Sequence, residues 1–350
     1  MTICLFGNYI SDYPRIQVLK KGLTANGVKV IECHTRREGI VKYWELWRQH
    51  GKLKNDYDIL LVSMGAYTLV PLARILSRKL VFFDAFVSIY LTNIEDRALA
   101  PVGSWPAKYF AWWDRFACQL AHKVLLDTNA QIEYFVSRYN LPRAKFIRVL
   151  VGADPEIFYP ATRYRLPATN SFIVHWHGHI VPFHGLDTVI GAAKILKTEK
   201  DIEFHIITRF NKVSNAIRAQ VENLRLDNIK FFPETSYQGL AKAINESDIV
   251  LGIFGSNEKA KRVIPNKIFE AVACGKPVIT ADTPAAREIF DDDSMRLISA
   301  ANPQELAETI LHLSQDKSER EQIAKVAYEI YKNKLIPEKT TSDLFARIRE

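Results

Sequence analysis

The residues best placed to do chemistry lie between Glu258 and Glu288, in the stretch EKAKRVIPNKIFEAVACGKPVITADTPAARE. Lys261, Arg262 and Lys267 gather three cations around Pro265, and Glu270 follows Lys267 by three residues. Pro265 suits a first helical turn, where its missing N–H costs nothing. Ile268, Phe269, Val272 and Ala273 give an apolar helical face, and Gly275 stops the helix. The first N–H groups of such a helix are unpaired and its dipole end is positive. Pro265, Asn266 and Lys267 would therefore present an anion site. Lys267 and Glu270 share a helix face at their spacing. The cations would take a diphosphate, and the carboxylate one turn on would accept from ribose or sugar hydroxyls. The same residues also read as a surface helix with an ion pair, and spacing alone leaves both readings open.

Two apolar runs flank this helix. Asp248 to Phe254 (DIVLGIF) and Pro277 to Thr280 (PVIT) read as buried strands, so the whole is one crossover unit of an α/β sheet. The first half of the chain repeats the pattern. Strands are expected at Thr2–Phe6, Val28–Glu32, Ile59–Ser63, Leu80–Asp84, Val124–Asp127 and Phe146–Leu150, alternating with helical stretches. That alternation implies a parallel sheet covered on both faces. Ligands of such sheets sit at the C-terminal strand ends. Gly7, Asn8 and Asp84 fall there. Gly7 would let a substrate approach the backbone closely, or it serves a tight turn. Asp84 reads as an acceptor contact or polar catalytic group, or as a loop cap. The dinucleotide fingerprint G-x-G-x-x-G is absent.

Phe172 to Trp176 (FIVHW) opens a second sheet, followed by His177, Gly178, His179 and His184. His179 and His184 can donate to a phosphate with a charge that depends on pH, or they are solvated loop residues. As a metal pair they lack a third ligand. Arg209 ends the strand Phe204–Thr208, where a guanidinium can grip a phosphate. Gly152–Asn170 holds three prolines and no periodicity, and reads as a linker. Trp105–Ala121 (WPAKYFAWWDRFACQLA) is aromatic and basic. It reads as a core helix against the sheet, with a membrane-surface helix as the alternative.

The 350 residues suffice for two domains, and 48% of them are hydrophobic, enough for a core in each. A net charge of +8, spread along the chain, favours an acidic substrate or an anionic membrane surface. No nucleic-acid-binding motif is present, so no nucleic acid partner is expected. Cys4, Cys33, Cys118 and Cys274 are too scattered for a zinc site or a disulfide framework. MTICLF lacks the basic start and long apolar run of a signal peptide, and no apolar run spans a bilayer. A cytoplasmic protein is expected, with a peripheral place at the inner membrane face left open.

PNKIFEAVACGKPVITAD resembles the donor-binding segment of retaining GT-B glycosyltransferases of the large family four type (group 1), which includes sucrose synthases and mannosyltransferases. In that family a Glu, seven residues and a second Glu precede a small-residue run, Gly and Pro-Val. Glu270 matches the second Glu; Arg262 stands where the first would be. VGADPEIFYP resembles the link between that family's two domains. His179 and His184 stand where the family has the Arg and Lys that grip the donor diphosphate, and Arg209 where it often has Gly. Glu234 and Thr235 would lie near the base. The resemblance implies two Rossmann-like domains facing a central cleft: 1–160 for the acceptor, 161–330 for the nucleotide sugar, and 331–350 as a helix crossing back. It implies hexosyl transfer from a nucleotide diphosphate sugar to a glycan, lipid-linked glycan or small molecule, as in polysaccharide biosynthesis, with retention and without cofactor or metal. Lys267, Arg262, His179, His184 and Arg209 would hold phosphates, Glu270 hydroxyls, and Asp84 and Asn8 the acceptor or reacting sugar. A sugar-nucleotide epimerase of the same fold and a non-catalytic nucleotide-sugar-binding partner are the alternatives.

Overall fold

The computed structural model describes residues 1–53, 56–161 and 171–349. Residues 162–170 of the expected linker lie outside the described residues. The chain divides into two compact units, one of Met1–Gly152 with Leu335–Glu350, the other of Ala153–Lys334. The expected division lay at 160/161 and 330/331.

In the first unit the strands are β1 (Thr2–Asn8), β2 (Lys29–Thr35), β3 (Ile59–Val62), β4 (Leu80–Phe86), β5 (Lys123–Leu126) and β6 (Phe146–Arg148). They form a parallel sheet in the order β2-β1-β3-β4-β5-β6. All four residues of β3 are buried, as a strand with helices on both faces requires. One face carries α1 (Pro14–Ala25), whose Ile16, Leu19 and Leu23 pack with Ile3, Leu5 and Leu61. The other carries α2 (Val41–Leu53), α3 (Val70–Leu76), α4 (Trp105–Leu120) and α5 (Asn129–Tyr139), which share a core with Phe6, Leu60, Val62 and Phe83.

The second unit repeats the design. Its strands are β7 (Phe172–His177), β8 (Ile202–Thr208), β9 (Ile229–Pro233), β10 (Ile249–Leu251), β11 (Val278–Ala281) and β12 (Arg296–Ile298), in the order β12-β11-β10-β7-β8-β9. All pairings are parallel. The helices are α6 (Leu186–Ile195), α7 (Lys212–Asn223), α8 (Tyr237–Glu246), α9 (Asn266–Ala273), α10 (Pro303–Gln315) and α11 (Lys317–Ile330). From β7 the chain builds outward through β8 and β9, then returns to lay β10 on the opposite side of β7. The switch point is therefore the C-terminal end of β7, where open α/β sheets bind ligands. The last helices, α12 (Pro337–Thr340) and α13 (Ser342–Arg349), return to the first unit, α12 against α1 and α13 against β6.

Candidate functional site

The site grows from the alternation of β7. Val174 and Trp176 face the hydrophobic core of the second unit. His175 and His177, offset by one residue, face the other side. There α9 packs, starting after Pro265 as its N-cap and ending at Gly275, whose φ of +66° a side chain would strain. All but the first residue of α9 are buried, including Lys267 and Glu270. The helix is therefore not a surface element with an exposed ion pair.

Three side chains form a chain of hydrogen bonds. His177 Nε2 lies 2.8 Å from Glu270 Oε2, and His177 Nδ1 lies 2.9 Å from His175 Nε2. With Glu270 ionised, His177 donates through Nε2–H and accepts at Nδ1 from His175. Burial pushes the Glu270 carboxyl up to about 7, against the opposing pull of the Lys267 charge. Lys267 Nζ has no hydrogen-bond partner among the described residues and sits 4.1 Å over the Trp176 ring. Burial drives its pKa well below the ordinary lysine value, and Glu270 opposes that shift.

Gly178 follows at the end of β7. A Cβ built there would lie 3.4 Å from Lys267 Nζ and 3.1 Å from His184 Cε1, so the missing side chain lets the turn pass close to the buried Nζ. Beside it a recess of about 310 Å³ opens at the ends of β7, β8 and β9. Its lining includes His177, Gly178, His179, Thr208, Arg209 and Tyr237, together with Glu234 and Thr235. The Thr208 hydroxyl donates to the Gly178 carbonyl at 2.8 Å and fixes the turn.

The structure thus brings Gly178, His179 and Arg209 together on one recess, with Lys267 beside Gly178 and Glu270 joined to its wall through His177. Three expectations change. His184 is buried and its Nδ1 lies 2.6 Å from the His179 carbonyl. A carbonyl only accepts, so Nδ1 carries the proton and a neutral His184 offers a lone pair, not a donor, at Nε2. Burial also holds its pKa well below 6.5, so it supplies no cation to a phosphate near neutral pH. Arg262, expected on the diphosphate, bonds the Glu258 carboxylate and carbonyl through Nη1. Pro265 and Asn266 stand at the start of α9 but do not line the recess. His175 and His177 were not among the predicted site residues; two histidines two residues apart in a buried strand were the available signal.

In the first unit Gly7 and Asn8 are still in β1, paired with His34 and Thr35 of β2, and not in a loop beyond it. A Cβ on Gly7 would lie 2.6 Å from Ser63 Oγ, which explains the glycine by strand packing. Asn8 Nδ2 donates to the Arg37 carbonyl. Asp84 was expected to meet an acceptor, yet it has no exposed surface. Its oxygens accept from Arg15 Nε at 2.8 Å and Nη2 at 2.7 Å, while Arg15 Nη1 donates to the Val149 carbonyl at 2.9 Å. In this structure Asp84 ties β4 to α1 and to the end of β6. Two residues on, Phe86 holds φ +63° with the Arg15 guanidinium 4.8 Å above its ring, a strained position for a bulky residue.

Among the described residues, His312, Asp316 and Glu319 come close enough to share a metal ion. Glu319 is already paired with Arg296, and these groups lie outside the recess.

The buried histidines set a direction for stability. Burial holds His175, His177 and His184 well below 6.5 in the folded chain. The folded state then binds fewer protons than the unfolded one, and their contribution is lost as pH falls through about 6.5. Glu270, raised to about 7, works the other way: its contribution is present below about 4.5 and lost as pH rises through 7. With His50, His122 and His205 also lowered and Asp114 raised to about 6, the lowered histidines outnumber the raised carboxyls, and stability is predicted to fall on acidification between pH 6.5 and 5. Urea unfolding at pH 7.5 and 5.5 measures this; equal midpoints would refute it.

Comparison with known proteins bears on the fold. Residues 171–316 match the family model described as Glycosyl transferases group 1. No curated protein matches the chain by sequence. Among solved structures, Anabaena HepE in complex with UDP is similar at 16% identity and a TM-score of 0.76, with 100% of both chains covered. That protein has also been crystallised with UDP and glucose and with UDP-glucose. Sucrose-phosphate synthase from Thermosynechococcus elongatus is similar at 13% identity and a TM-score of 0.76, covering 100% of this chain and 99% of that one. A glycosyltransferase from Rickettsia africae is 15% identical with a TM-score of 0.69, covering 99% of this chain and 97% of that one. At such identities the likeness carries the fold. Residues 171–316, within the second unit, are thus similar to the group 1 glycosyltransferases, and the two units, each a parallel six-stranded sheet with helices, have the GT-B fold.

Proposed function

We propose that this chain transfers a hexosyl group from a nucleotide diphosphate sugar to an acceptor hydroxyl, with the anomeric configuration retained. The observation that carries this reading is the buried Lys267 side chain, its Nζ without a hydrogen-bond partner among the described residues and close behind Gly178. A diphosphate over Gly178 would give Lys267 the acceptors it lacks, with the start of α9 and Arg209 adding positive charge. As the C1–oxygen bond to the diphosphate breaks, these groups stabilise the charge left on the leaving group. The acceptor oxygen bonds to C1 and its proton passes to the released phosphate or to solvent. Glu270, held on one oxygen by His177, accepts from a ribose or sugar hydroxyl with the other. His179 rims the same recess. UDP-linked sugars are the first donors to test, because HepE was crystallised with UDP and UDP-glucose. The first unit takes the acceptor, with Gly7 and Asn8 at its strand end, and Asp84 positions that end through Arg15.

Incubation with labelled UDP-sugars and candidate acceptors tests the reading. Label is expected in the acceptor with release of UDP, and turnover is expected to persist in chelator. Label found only in an isomerised donor would make the protein an epimerase, and binding without turnover would make it a non-catalytic partner. Glu270→Gln keeps an acceptor for His177 but replaces an ionised hydrogen bond. Its expected cost is about 1.5–3 kcal/mol, roughly ten- to 150-fold in kcat/KM, with the melting temperature preserved. A variant with wild-type kinetics would remove Glu270 from the donor site.

A further inference from the structure

We infer that the outer face of α2, α3 and α4 docks on an anionic membrane surface. These helices adjoin one another on one face of the first sheet, with α3 touching both neighbours. Each turns small or aliphatic residues inward: Leu46 from α2, Ala73 from α3, Ala107, Ala117 and Cys118 from α4. Each turns large apolar residues outward. Trp44 and Trp47 are more than half exposed, Ile75 is 81% exposed, and Trp105 is 76% exposed.

On α4 the outer residues Trp105, Tyr109, Trp112 and Phe116 recur at intervals of three or four, which places them on one stripe. The rings are already ordered, with Trp105 stacked on Tyr109 and Trp112 on Phe116. Exposed tryptophans held in a row are uncommon on a surface that faces only water.

The charges around the rings choose the occupant. On α4, Lys108 and Arg115 are exposed, whereas its carboxylate, Asp114, is fully buried and accepts from Ser88, Tyr139 and two backbone amides. On α3 and just after it stand Arg74, Arg78 and Lys79 with no carboxylate. On α2, Lys42, Arg48 and Lys52 oppose Glu45 alone, and Arg48 sits 5.5 Å over the Trp44 ring. Amphipathic rings interleaved with cations on helices lying along one face match the boundary of a bilayer, where the rings enter the headgroup layer and the cations meet anionic lipid. No helix among the described residues is long and apolar enough to cross a membrane, so the contact is lateral.

This inference does not rest on the transfer reading, and none of the outer residues lines the recess at β7. The test uses the full chain and vesicles of phosphatidylcholine, with or without an equal part of phosphatidylglycerol. The wild type is expected to sediment with the anionic vesicles at least about tenfold more tightly than with the neutral ones, with a blue-shifted tryptophan emission. Raising the salt should weaken it. Trp105→Ser with Trp112→Ser, and separately Lys108→Glu with Arg115→Glu, should each reduce binding about tenfold or more while keeping melting temperature and UDP affinity. A wild type that stays in the supernatant, equal binding to both vesicles, or full binding by both variants overturns the inference. So does a wild-type dimer that either variant dissociates, which would make the face a protein interface.

Discussion

Lys267→Met is expected to weaken UDP binding by roughly ten- to 150-fold and, in the same protein, to raise the melting temperature of the unliganded chain. The two signs follow from one observation. Lys267 is 3% exposed, lacks any hydrogen-bond partner among the described residues, and rests on the Trp176 ring. Burying an amine without hydrogen bonds costs about 1–3 kcal/mol, and a methionine of similar length removes that cost without leaving a cavity. A diphosphate supplies what the ammonium lacks, so the cost in the free protein becomes a gain on binding. Burial lowers the Lys267 pKa well below the ordinary lysine value, and a bound diphosphate would oppose that shift. Unchanged UDP affinity in the variant would place the diphosphate elsewhere.

Asp84→Ala should be the most damaging single change to stability, by about 3–5 kcal/mol. Arg15 and Asp84 are 2% and 0% exposed, and the variant would leave a guanidinium buried with the Val149 carbonyl as its one hydrogen-bond partner among the described residues. That is a large share of the 5–15 kcal/mol that a typical domain has. Replacing both partners together, by Arg15→Met with Asp84→Leu, should cost less than Asp84→Ala alone, because no unpaired charge remains. Denaturant unfolding of the three variants decides. If Asp84→Ala unfolds like the wild type but loses transfer, the carboxylate acts on substrate and the positioning role falls.

The sequence displayed the strands up to β11 and the α9 segment openly because apolar runs, Pro265 and Gly275 are local signals, whereas the three-residue β12 was not expected. The helix was expected to begin near Pro265 and end at Gly275, and it runs from Asn266 to Ala273. Side-chain partners were harder to read, since they depend on which strand lies beside which. Arg15 meets Asp84 across 69 residues and His177 meets Glu270 across 93, and neither pairing leaves a trace in spacing. His184 looked like a loop cation because Pro182 and Gly185 beside it are turn-forming; the fold buries it against Trp176 and gives its proton to a carbonyl. On α4 the core-helix reading describes one side, where Ala117 and Cys118 face the core, while Trp105 and Trp112 face outward.

The first unit is assembled from two pieces of chain. Leu344 of α13 is fully buried with Ile3, Leu5 and Ile16, and α1 meets α12 so closely that a Cβ on Gly22 would lie 2.1 Å from the Pro337 carbonyl. During synthesis these pieces emerge on either side of the whole second unit, Ala153–Lys334. At typical rates of about 5–20 residues per second, that interval lasts roughly ten to forty seconds. Throughout it, the first unit holds a finished sheet whose α1 side lacks its cover. A nascent chain in this state would expose apolar surface, and the second unit, continuous in sequence, emerges whole before the first has all its residues.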